Sequence, residues 1–541
     1  MRLTVLRFAV RFCQFIWIPV RYALKADNVL TSLKFTKQHV SVNKVVPGIR
    51  FKHSLLPRKI LILNTHVLFR YPNTTIMKKW KKISLFVCVF AFVREFRPIE
   101  PFYAAYMTSP AINITLTQTS RDVYAVGAYS CFVLIIIVFL ITDYLKYKPV
   151  LIMDGICGVM AYCSIVGHPS LLRMQIGQVF YGFFFSSEVA YFGYLYAMTD
   201  DKRLYQRITG QARAACLSGK FLSSFFAQAV SLVNGSVPYI ELVYISIFGM
   251  FFSTVWAYLM PNVTNSIYFH NEKSESTDES PPPVKNHTSS SDEPKTTENV
   301  ESQPSKTKIT KEINKDEGKS LGQVLSCLQK DFKRSYSDPY VRKLCLWWAF
   351  AFGAYVQVYT YINVLYTYVL DLNEDTHFTL YNGAAESLNT LIGAIAAYSI
   401  GKLELNWFKV GDLFLGIGSI LAGIVLLGCF YTRTMWFIYA FYIIYGCLYQ
   451  TMLTVAESEV AKQLSRDSYG LVFGFNSFIA LFLHTLMTYG IVQGHIISVS
   501  TIQQFLIYAV YYMCIGAVFL IFSIKSYFSS ATTDSIIECK Q

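Results

Sequence analysis

QVFYGFFFSSEVAYFGYLY, residues 178–196, is apolar enough to cross a bilayer as a helix, yet it contains Glu188. An ionised carboxylate at membrane depth is costly unless water, a partner or a ligand compensates its charge. Tyr191 lies three residues after the acid, and Tyr181 and Phe184 occupy the preceding turns. The stretch therefore predicts a membrane-spanning helix in which one acid lies among aromatic rings.

An acid among aromatic rings suits a flat organic cation, which pairs with the carboxylate and lies against the ring faces. The alternative is a structural acid that pairs with a basic residue on a neighbouring helix. Ionisable residues inside membrane helices are functional by default, which favours the ligand site. We therefore predict that Glu188 and Tyr191 contact the substrate.

The composition indicates a membrane protein along most of the chain. Of the 541 residues, 53% are hydrophobic and only 15% are charged, whereas a soluble protein needs more charge to cover its surface. The net charge of +14 does not indicate nucleic-acid binding, because the basic residues fall mostly at helix ends and in loops. The 12 cysteines form no CxxC pair and no metal-ligand cluster with histidine, so they indicate reduced packing residues.

The apolar runs predict twelve membrane-spanning helices in two groups of six. The first group covers residues 83–107, 123–145, 150–167, 172–198, 204–234 and 237–260. The second group covers residues 344–370, 378–403, 410–430, 436–464, 470–492 and 505–528. Residues 261–340 between the groups are rich in Ser, Thr, Pro, Glu and Lys, which predicts a disordered linker. This layout is that of the major facilitator fold, an all-α membrane protein.

The predicted domains follow from this layout. A six-helix bundle over residues 82–260 and another over 341–530 flank the linker, and residues 531–541 form a tail. Residues 1–81 form a basic extension in which Asp27 is the only acid. Such a segment is typical of an organelle transit peptide, an interfacial helix or an upstream exon wrongly joined. We treat it as cytosolic and poorly ordered.

Charge bias orients the predicted spans. Lys and Arg cluster in the loops that follow even-numbered spans, and the alternate loops contain fewer of them. By the positive-inside rule, the even loops, the linker and both termini are cytosolic. The sequon at Asn113 then lies outside the cell, where it is a glycosylation site.

The first predicted span contains REFRPIEPF, residues 94–102. Pro98 and Pro101 remove backbone donors, so we expect the helix to break beside a cavity near mid-membrane. Arginines and glutamates crowd the break, and mutual pairing of these side chains is the simplest interpretation. We expect Glu100 to face the cavity and contact substrate, and Glu95 is a candidate proton-coupling residue.

Further polar residues lie at membrane depth in the second group of spans. Glu386 follows a run of small residues, which allow close helix approach or form a cavity wall. A structural hydrogen bond and substrate contact are therefore both open for Glu386. Gln357 and Tyr361 belong to an aromatic and amide surface of the seventh span, and we predict that they contact substrate. His484, near the middle of the eleventh span, is a packing residue or a proton site.

Two basic residues, Arg213 and Lys220, lie inside the fifth predicted span, and we expect them to neutralise acids on other helices. The sequence contains no phosphate-binding glycine loop, Walker motif, catalytic triad or metal-ligand set. We therefore expect no enzymatic activity, no cofactor and no metal. Transport should be secondary rather than driven by ATP.

Several segments together resemble the thiamine transporter and reduced folate carrier family, solute carrier family 19. They are REFRPIEPF (94–102), FLITDYLKYKPV (139–150), YGFFFSSEVAYFGYLYA (181–197), YQRITGQARAA (205–215), LCLWWAF (344–350), YNGAAESLNTLIGAIAAY (381–398) and LVFGFNSFIAL (471–481). The resemblance runs in order from about residue 82 to 530. It implies a major facilitator fold and plasma-membrane uptake of a water-soluble vitamin.

Within that family, the resemblance bears on the charge of the substrate. Vertebrate-type folate carriers have an arginine in place of Glu188, an arginine near Gly446 and a lysine near His484, which would hold the anionic tail of folate. Those cations are absent here. Glu188, Glu100 and Glu386 look like the acids of thiamine transporters, so the resemblance implies thiamine, a flat cation.

The seventh span departs from the thiamine-transporter pattern, since Val356 and Thr360 replace amides there. Part of the pyrimidine recognition is therefore unaccounted for. Two alternatives stay open: a folate carrier that keeps the glutamate, and a membrane receptor that binds the vitamin without moving it.

Overall fold

The computed structural model describes residues 79–199, 205–263, 321–373, 378–403, 405–463 and 469–538. All regular secondary structure in these ranges is helical, and they contain no strand, which confirms the predicted all-α class. The predictions for the basic extension before residue 79 and for most of the linker, residues 264–320, lie outside the described residues.

The helices form one set on each side of the linker. The N-terminal set comprises α1 (Lys79–Arg94), α2 (Tyr103–Met107), α3 (Tyr124–Tyr144), α4 (Lys148–Cys163), α5 (Leu171–Ser186), α6 (Glu188–Ala197), α7 (Tyr205–Asn234) and α8 (Tyr239–Leu259). A further helix, α9 (Leu321–Ser335), precedes the C-terminal set. That set comprises α10 (Pro339–Asn373), α11 (Asn382–Gly401), α12 (Trp407–Tyr431), α13 (Met435–Gln463), α14 (Tyr469–Met487) and α15 (Thr501–Glu538).

Among the described residues, 7 helices are long and apolar enough to cross a membrane, by length and composition. They are Leu116–Tyr144, Arg207–Asn234, Tyr239–Leu259, Trp407–Tyr431, Met435–Gln463, Gly470–Val492 and Thr501–Lys525. The other predicted spans coincide with α1–α2, α4, α5–α6, α10 and α11. The count of twelve spans therefore stays a prediction.

The predicted break in the first span is present. The helix α1 ends at Arg94, a short 3-10 helix covers Glu100–Phe102, and α2 begins at Tyr103. Pro98 precedes this short helix and Pro101 lies within it, and neither can donate the backbone hydrogen bond that a continuous helix needs. The break lies beside the acids and arginines that the sequence places there.

A second break was not predicted. The span 172–198, expected as one helix, divides at Ser187 into α5 and α6. The Nη2 of Arg94 donates to Phe184 O at 2.5 Å, the carbonyl that Glu188 N would use in a continuous helix. A side chain that enters the backbone hydrogen-bond ladder in this way interrupts the helix.

Hydrogen bonds that involve backbone carbonyls join the two sets at one end of the assembly. We call the end where α8 finishes and α10 begins the linker side, and the opposite end the far side. On the far side, Asn382 Nδ2 donates to Pro101 O at 3.0 Å, and Gln228 Nε2 donates to Leu380 O at 3.1 Å. The far side is therefore closed by hydrogen bonds between the sets.

Close helix approach accompanies these bonds. A Cβ added at Gly383 of α11 would lie 2.8 Å from Ser224 O of α7, so a larger residue would push the helices apart. This agrees with the sequence argument that small residues before Glu386 allow close packing.

Candidate substrate-binding site

A cavity of about 410 Å³ lies between the two sets and extends to the linker side, where Tyr147, Tyr196 and Leu328 line it. Its charged lining residues are Arg94, Glu95, Arg97, Asp143, Glu188, Arg213, Lys220 and Glu457. Its aromatic lining residues include Tyr181, Phe184, Tyr191, Trp348, Tyr355, Tyr359 and Tyr449. We call this space the main cavity.

A smaller space of about 100 Å³, which we call the far-side chamber, adjoins the main cavity. Both spaces are lined by Glu95, Arg97, Tyr181, Lys220 and Tyr359. Residues that line the chamber alone include Glu100, Ser223, Thr360, Asn363, Glu386 and His484. The acids singled out from the sequence therefore divide between two neighbouring spaces.

Glu188 lines the main cavity as the first residue of α6. It is exposed to this space, and it makes no hydrogen bond or ion pair with any residue that the structure describes. In this conformation Glu188 is therefore not held in a close ion pair, although the charges of Arg94 and Arg213 lie near enough to act on it. The carboxylate is left available for a ligand.

Tyr191 forms part of the wall of the main cavity, and its ring contacts those of Phe90 and Phe192. Its hydroxyl lies 3.6 Å from the Sγ of Cys216 and forms no bond with the carboxylate of Glu188. Tyr191 therefore contributes a ring to the site rather than holding the acid in place.

Arg94 is the centre of a buried ion-pair network. It is only 2% exposed, and its Nε lies 3.1 Å from Asp154 Oδ2 while its Nη1 lies 3.0 Å from Glu95 Oε1. The guanidinium also lies 4.1 Å from the centroid of the Phe184 ring. A charge buried this deeply persists because it is both paired and hydrogen-bonded. Sequence reasoning missed Asp154, although the cost of an acid inside a predicted span could have identified it.

Arg97 extends the network to the far-side chamber. Its guanidinium lies 2.7 Å from Glu95 Oε2 and 3.1 Å from Glu100 Oε1. Tyr162 donates its hydroxyl to Glu100. The predicted mutual pairing around the helix break is confirmed, so the protein itself offsets the charges of Glu95 and Glu100.

The counter-charges expected on α7 are confirmed as ion pairs between the two sets. Lys220 Nζ lies 2.8 Å from Glu386 Oε1, and the Tyr442 hydroxyl donates to Glu386 Oε2 at 2.7 Å. Arg213 pairs with Glu457 of α13 nearer the linker side. Glu386 is therefore compensated in this conformation, unlike Glu188.

Arg213→Gln should make Cys216, which lines the main cavity, react faster with a maleimide in the purified protein. The Arg213–Glu457 pair joins the two sets near the linker side, so its loss should favour opening of the cavity there. A partly exposed ion pair contributes about 1 kcal/mol, and the alkylation rate should rise about fivefold.

Glu459→Gln is the matched control for this measurement, because Glu459 pairs with Lys462 within α13 and accepts a hydrogen bond from Tyr340 of α10, so its contacts lie within the C-terminal set and do not join the two sets. Cys216→Ser identifies the labelled thiol. An unchanged alkylation rate in the Arg213→Gln protein would show that the pair does not hold the linker side together.

Gln357 and Tyr361 of α10 line neither cavity. Gln357 is fully buried, with its Nε2 donating to the Tyr508 hydroxyl at 2.9 Å, and Tyr361 packs edge-on against Tyr124. The turn of the helix that directs Tyr359 into the main cavity directs these two side chains away from it. In this conformation Gln357 and Tyr361 therefore lie outside both cavities, and their contact with substrate stays a prediction.

His484 of α14 lines the far-side chamber and is 3% exposed. Its Nδ1 has no hydrogen-bond partner among the described residues. Glu95, the other candidate for proton coupling, is held by two arginines. A coupling role for either residue stays a prediction.

The C-terminal set faces the acids with an aromatic wall that sequence reasoning did not assemble. The rings of Tyr355 and Tyr449 stack with centroids 3.9 Å apart and planes 9° apart. Tyr359 lies one turn after Tyr355 on α10, with the two ring centroids 6.2 Å apart, and it lines both cavities. The abundance of aromatic residues in the seventh span was visible in the sequence, but their partner on α13 was not.

The charges around the main cavity favour a cationic ligand. Each basic side chain that lines it, namely Arg94, Arg97, Arg213 and Lys220, is already paired with an acid. Glu188 adds a carboxylate without such a partner. An acid opposite stacked rings can hold a flat cation by charge and by ring contact.

Comparison with known proteins identifies relatives over most of the chain. The family model described as Reduced folate carrier matches residues 78–507. Thiamine transporter 2 of Homo sapiens is 31% identical over 480 residues, covering 86% of this chain and 94% of the relative. Folate transporter 1 of Caenorhabditis elegans is 30% identical over 453 residues, covering 84% of this chain and 94% of the relative.

Among solved structures, the POT family transporter PepTSo resembles this protein with a TM-score of 0.54 at 12% sequence identity. The match covers 83% of this chain and 99% of that chain. At so low an identity the likeness concerns the fold alone, and it confirms the predicted major facilitator fold.

Proposed function

Because this chain belongs to the reduced folate carrier family, we propose that it takes up thiamine across the plasma membrane by alternating access. The protein is a multi-pass membrane transporter of the thiamine and folate type. The choice of thiamine rests on the charge of the site, and the choice of the plasma membrane rests on the family resemblance.

Glu188 is the observation that carries the choice of substrate. Its carboxylate faces the main cavity without a partner among the described residues. Thiamine has a permanently charged thiazolium ring and a flat aminopyrimidine ring. The carboxylate can pair with the thiazolium while Tyr191, Tyr355 and Tyr359 offer ring contacts.

Folate is the second candidate, and the similarity to a folate transporter of Caenorhabditis elegans favours it. Its anionic tail needs unpaired cations, whereas the basic side chains of the main cavity are already paired. A Cβ at Gly446 would lie 1.6 Å from Asn389 Oδ1, so an arginine has no room there unless Asn389 moves. These observations support thiamine over folate.

The contacts between the helix sets support alternating access. Hydrogen bonds join the sets on the far side, and the main cavity extends to the linker side. With the linker in the cytosol, as the positive-inside rule predicts, this conformation is inward-facing. Transport then requires the far-side bonds to break while the linker side closes.

Asn113→Gln should remove an N-linked glycan from the protein. Asn113 is exposed in the loop before α3, on the far side, which the proposed topology places outside the cell. Deglycosylation should lower the apparent mass of the wild type but not that of Asn113→Gln. Asn262→Gln, at a linker-side sequon, is the control and should leave the mass unchanged. A glycan at Asn262 would contradict the proposed topology, because it would place the linker side outside the cell.

Uptake of labelled thiamine and labelled folate into cells expressing the protein tests the proposed function. We expect thiamine to accumulate above the level of untransfected cells and folate to remain at that level. Uptake of folate without thiamine would overturn the choice of substrate. Counterflow in proteoliposomes separates transport from receptor binding, because only a transporter exchanges external label for internal unlabelled thiamine.

A further inference from the structure

The ammonium group of Lys220 is surrounded by the kinds of side chain that bind an organic cation. Its Nζ lies 2.8 Å from Glu386 Oε1 and 4.1 Å from the centroid of the Tyr359 ring. Glu386 is 8% exposed, and the hydroxyl of Tyr442 holds its second oxygen at 2.7 Å. An oriented acid beside an aromatic face is the combination that binds organic cations.

We propose that Glu386 and Tyr359 form a second cation subsite, which Lys220 occupies as a tethered competitor of the substrate in this conformation. The subsite takes an organic cation of the same class as the one proposed for Glu188. The inference rests on the proposed function and adds to it a residue that controls when the substrate is held and when it is released.

The competitor and its subsite belong to different helix sets. Lys220 lies on α7 of the N-terminal set, whereas Tyr359 lies on α10 and Glu386 on α11 of the C-terminal set. The far-side bonds between α7 and the segment at the start of α11 hold these helices together. When the far side opens, the sets part there, and Lys220 withdraws from Glu386.

This withdrawal changes the number of acids that the substrate meets. With the far side open, an entering cation meets both Glu188 and a bare Glu386. With the far side closed, Lys220 neutralises Glu386. Of the two acids, Glu188 alone then remains without a close partner among the described residues. The substrate is therefore held more weakly in the conformation that releases it on the linker side.

The position of Lys220 allows direct competition. Lys220 and Tyr359 line both the main cavity and the far-side chamber, so a ligand in the main cavity reaches the edge of the subsite. A lysine suits this role because its ammonium is a compact charge on a flexible stem that can retract. The pair Arg213–Glu457 also joins the sets, but Arg213 lies on no aromatic ring in the described residues.

Thiamine binding to the full-length purified protein tests the proposal. We expect Lys220→Met to bind thiamine at least about tenfold more tightly than the wild type, because Glu386 becomes available to the ligand. Lys220→Arg keeps the charge and should bind as the wild type does. Adding Glu386→Gln to Lys220→Met should remove the gain. Efflux of thiamine from preloaded proteoliposomes should be slower with Lys220→Met.

The controls separate this inference from the proposed function. If the wild type binds thiamine and folded Lys220→Met binds it no more tightly, the competitor role is wrong and the thiamine site stands. If neither protein binds thiamine, both proposals fail. Lys220→Gln provides a second neutral variant, and its thermal unfolding shows whether the protein remains folded. A gain in affinity that survives Glu386→Gln would also contradict the subsite.

Discussion

Glu188→Gln should reach the cell surface and lose most thiamine uptake. Glutamine keeps the shape and hydrogen-bonding capacity of the side chain but removes the charge that faces the main cavity. Loss of a partly desolvated charge pair with the substrate should cost about 2–4 kcal/mol, which corresponds to roughly 30- to 1000-fold weaker binding. Uptake should be measured together with surface biotinylation, so that transport is normalised to protein at the surface.

Other substitutions at and near Glu188 should reduce uptake by smaller amounts. Glu188→Asp keeps the charge and should retain part of the uptake, and Tyr191→Phe keeps the ring and should lose little, because its hydroxyl contacts Cys216. Glu100→Gln and Glu386→Gln should have intermediate effects, since other residues already offset both acids. Wild-type rate and affinity in a surface-expressed Glu188→Gln protein would refute the cation site.

Arg94→Met should leave much of the protein unfolded or retained inside the cell. The substitution removes the partner of the buried Asp154 and the donor to Phe184 O at the break between α5 and α6. Removing one member of a buried ion pair typically costs about 3–5 kcal/mol, because the other charge stays buried without compensation. The melting temperature of the purified protein should fall, and its monodisperse fraction should decrease.

The double variant Arg94→Met with Asp154→Leu removes both buried charges and should recover part of the lost stability. Arg173→Met is the matched control, because Arg173 is exposed and its guanidinium donates to Cys163 O at the surface, so its loss should change the free energy of unfolding by about 1 kcal/mol or less. A melting temperature of Arg94→Met equal to that of the wild type would mean that the network does not stabilise the fold.

Local sequence predicted the break after Arg94 but not the one at Ser187. Pro98 and Pro101 interrupt a helix whatever surrounds them, because proline lacks a backbone donor. The second break depends on the reach of Arg94 to Phe184 O, across 90 residues of chain. No pattern within residues 172–198 encodes that contact, so periodicity alone indicates a continuous helix there.

The sequence likewise could not predict which side chains of α10 face the cavities. Gln357 and Tyr359 are two residues apart and therefore point to different sides of the helix. In a helix packed among other helices, amide and aromatic residues occur on more than one face. Only the packing of α10 against its neighbours determined that Tyr359 lines the cavities while Gln357 contacts Tyr508.

The sequence by itself determined the membrane class, the first helix break and the set of acids worth testing, because each depends on residues close together in the chain. The tertiary structure alone decided which acids keep an unpaired charge. Electrostatic energy depends on distance through space, and Arg213 meets Glu457 across 244 residues of chain. Glu188, already the first candidate from the sequence, keeps an unpaired carboxylate because the folded helices provide close partners for Glu100 and Glu386 and none for it among the described residues.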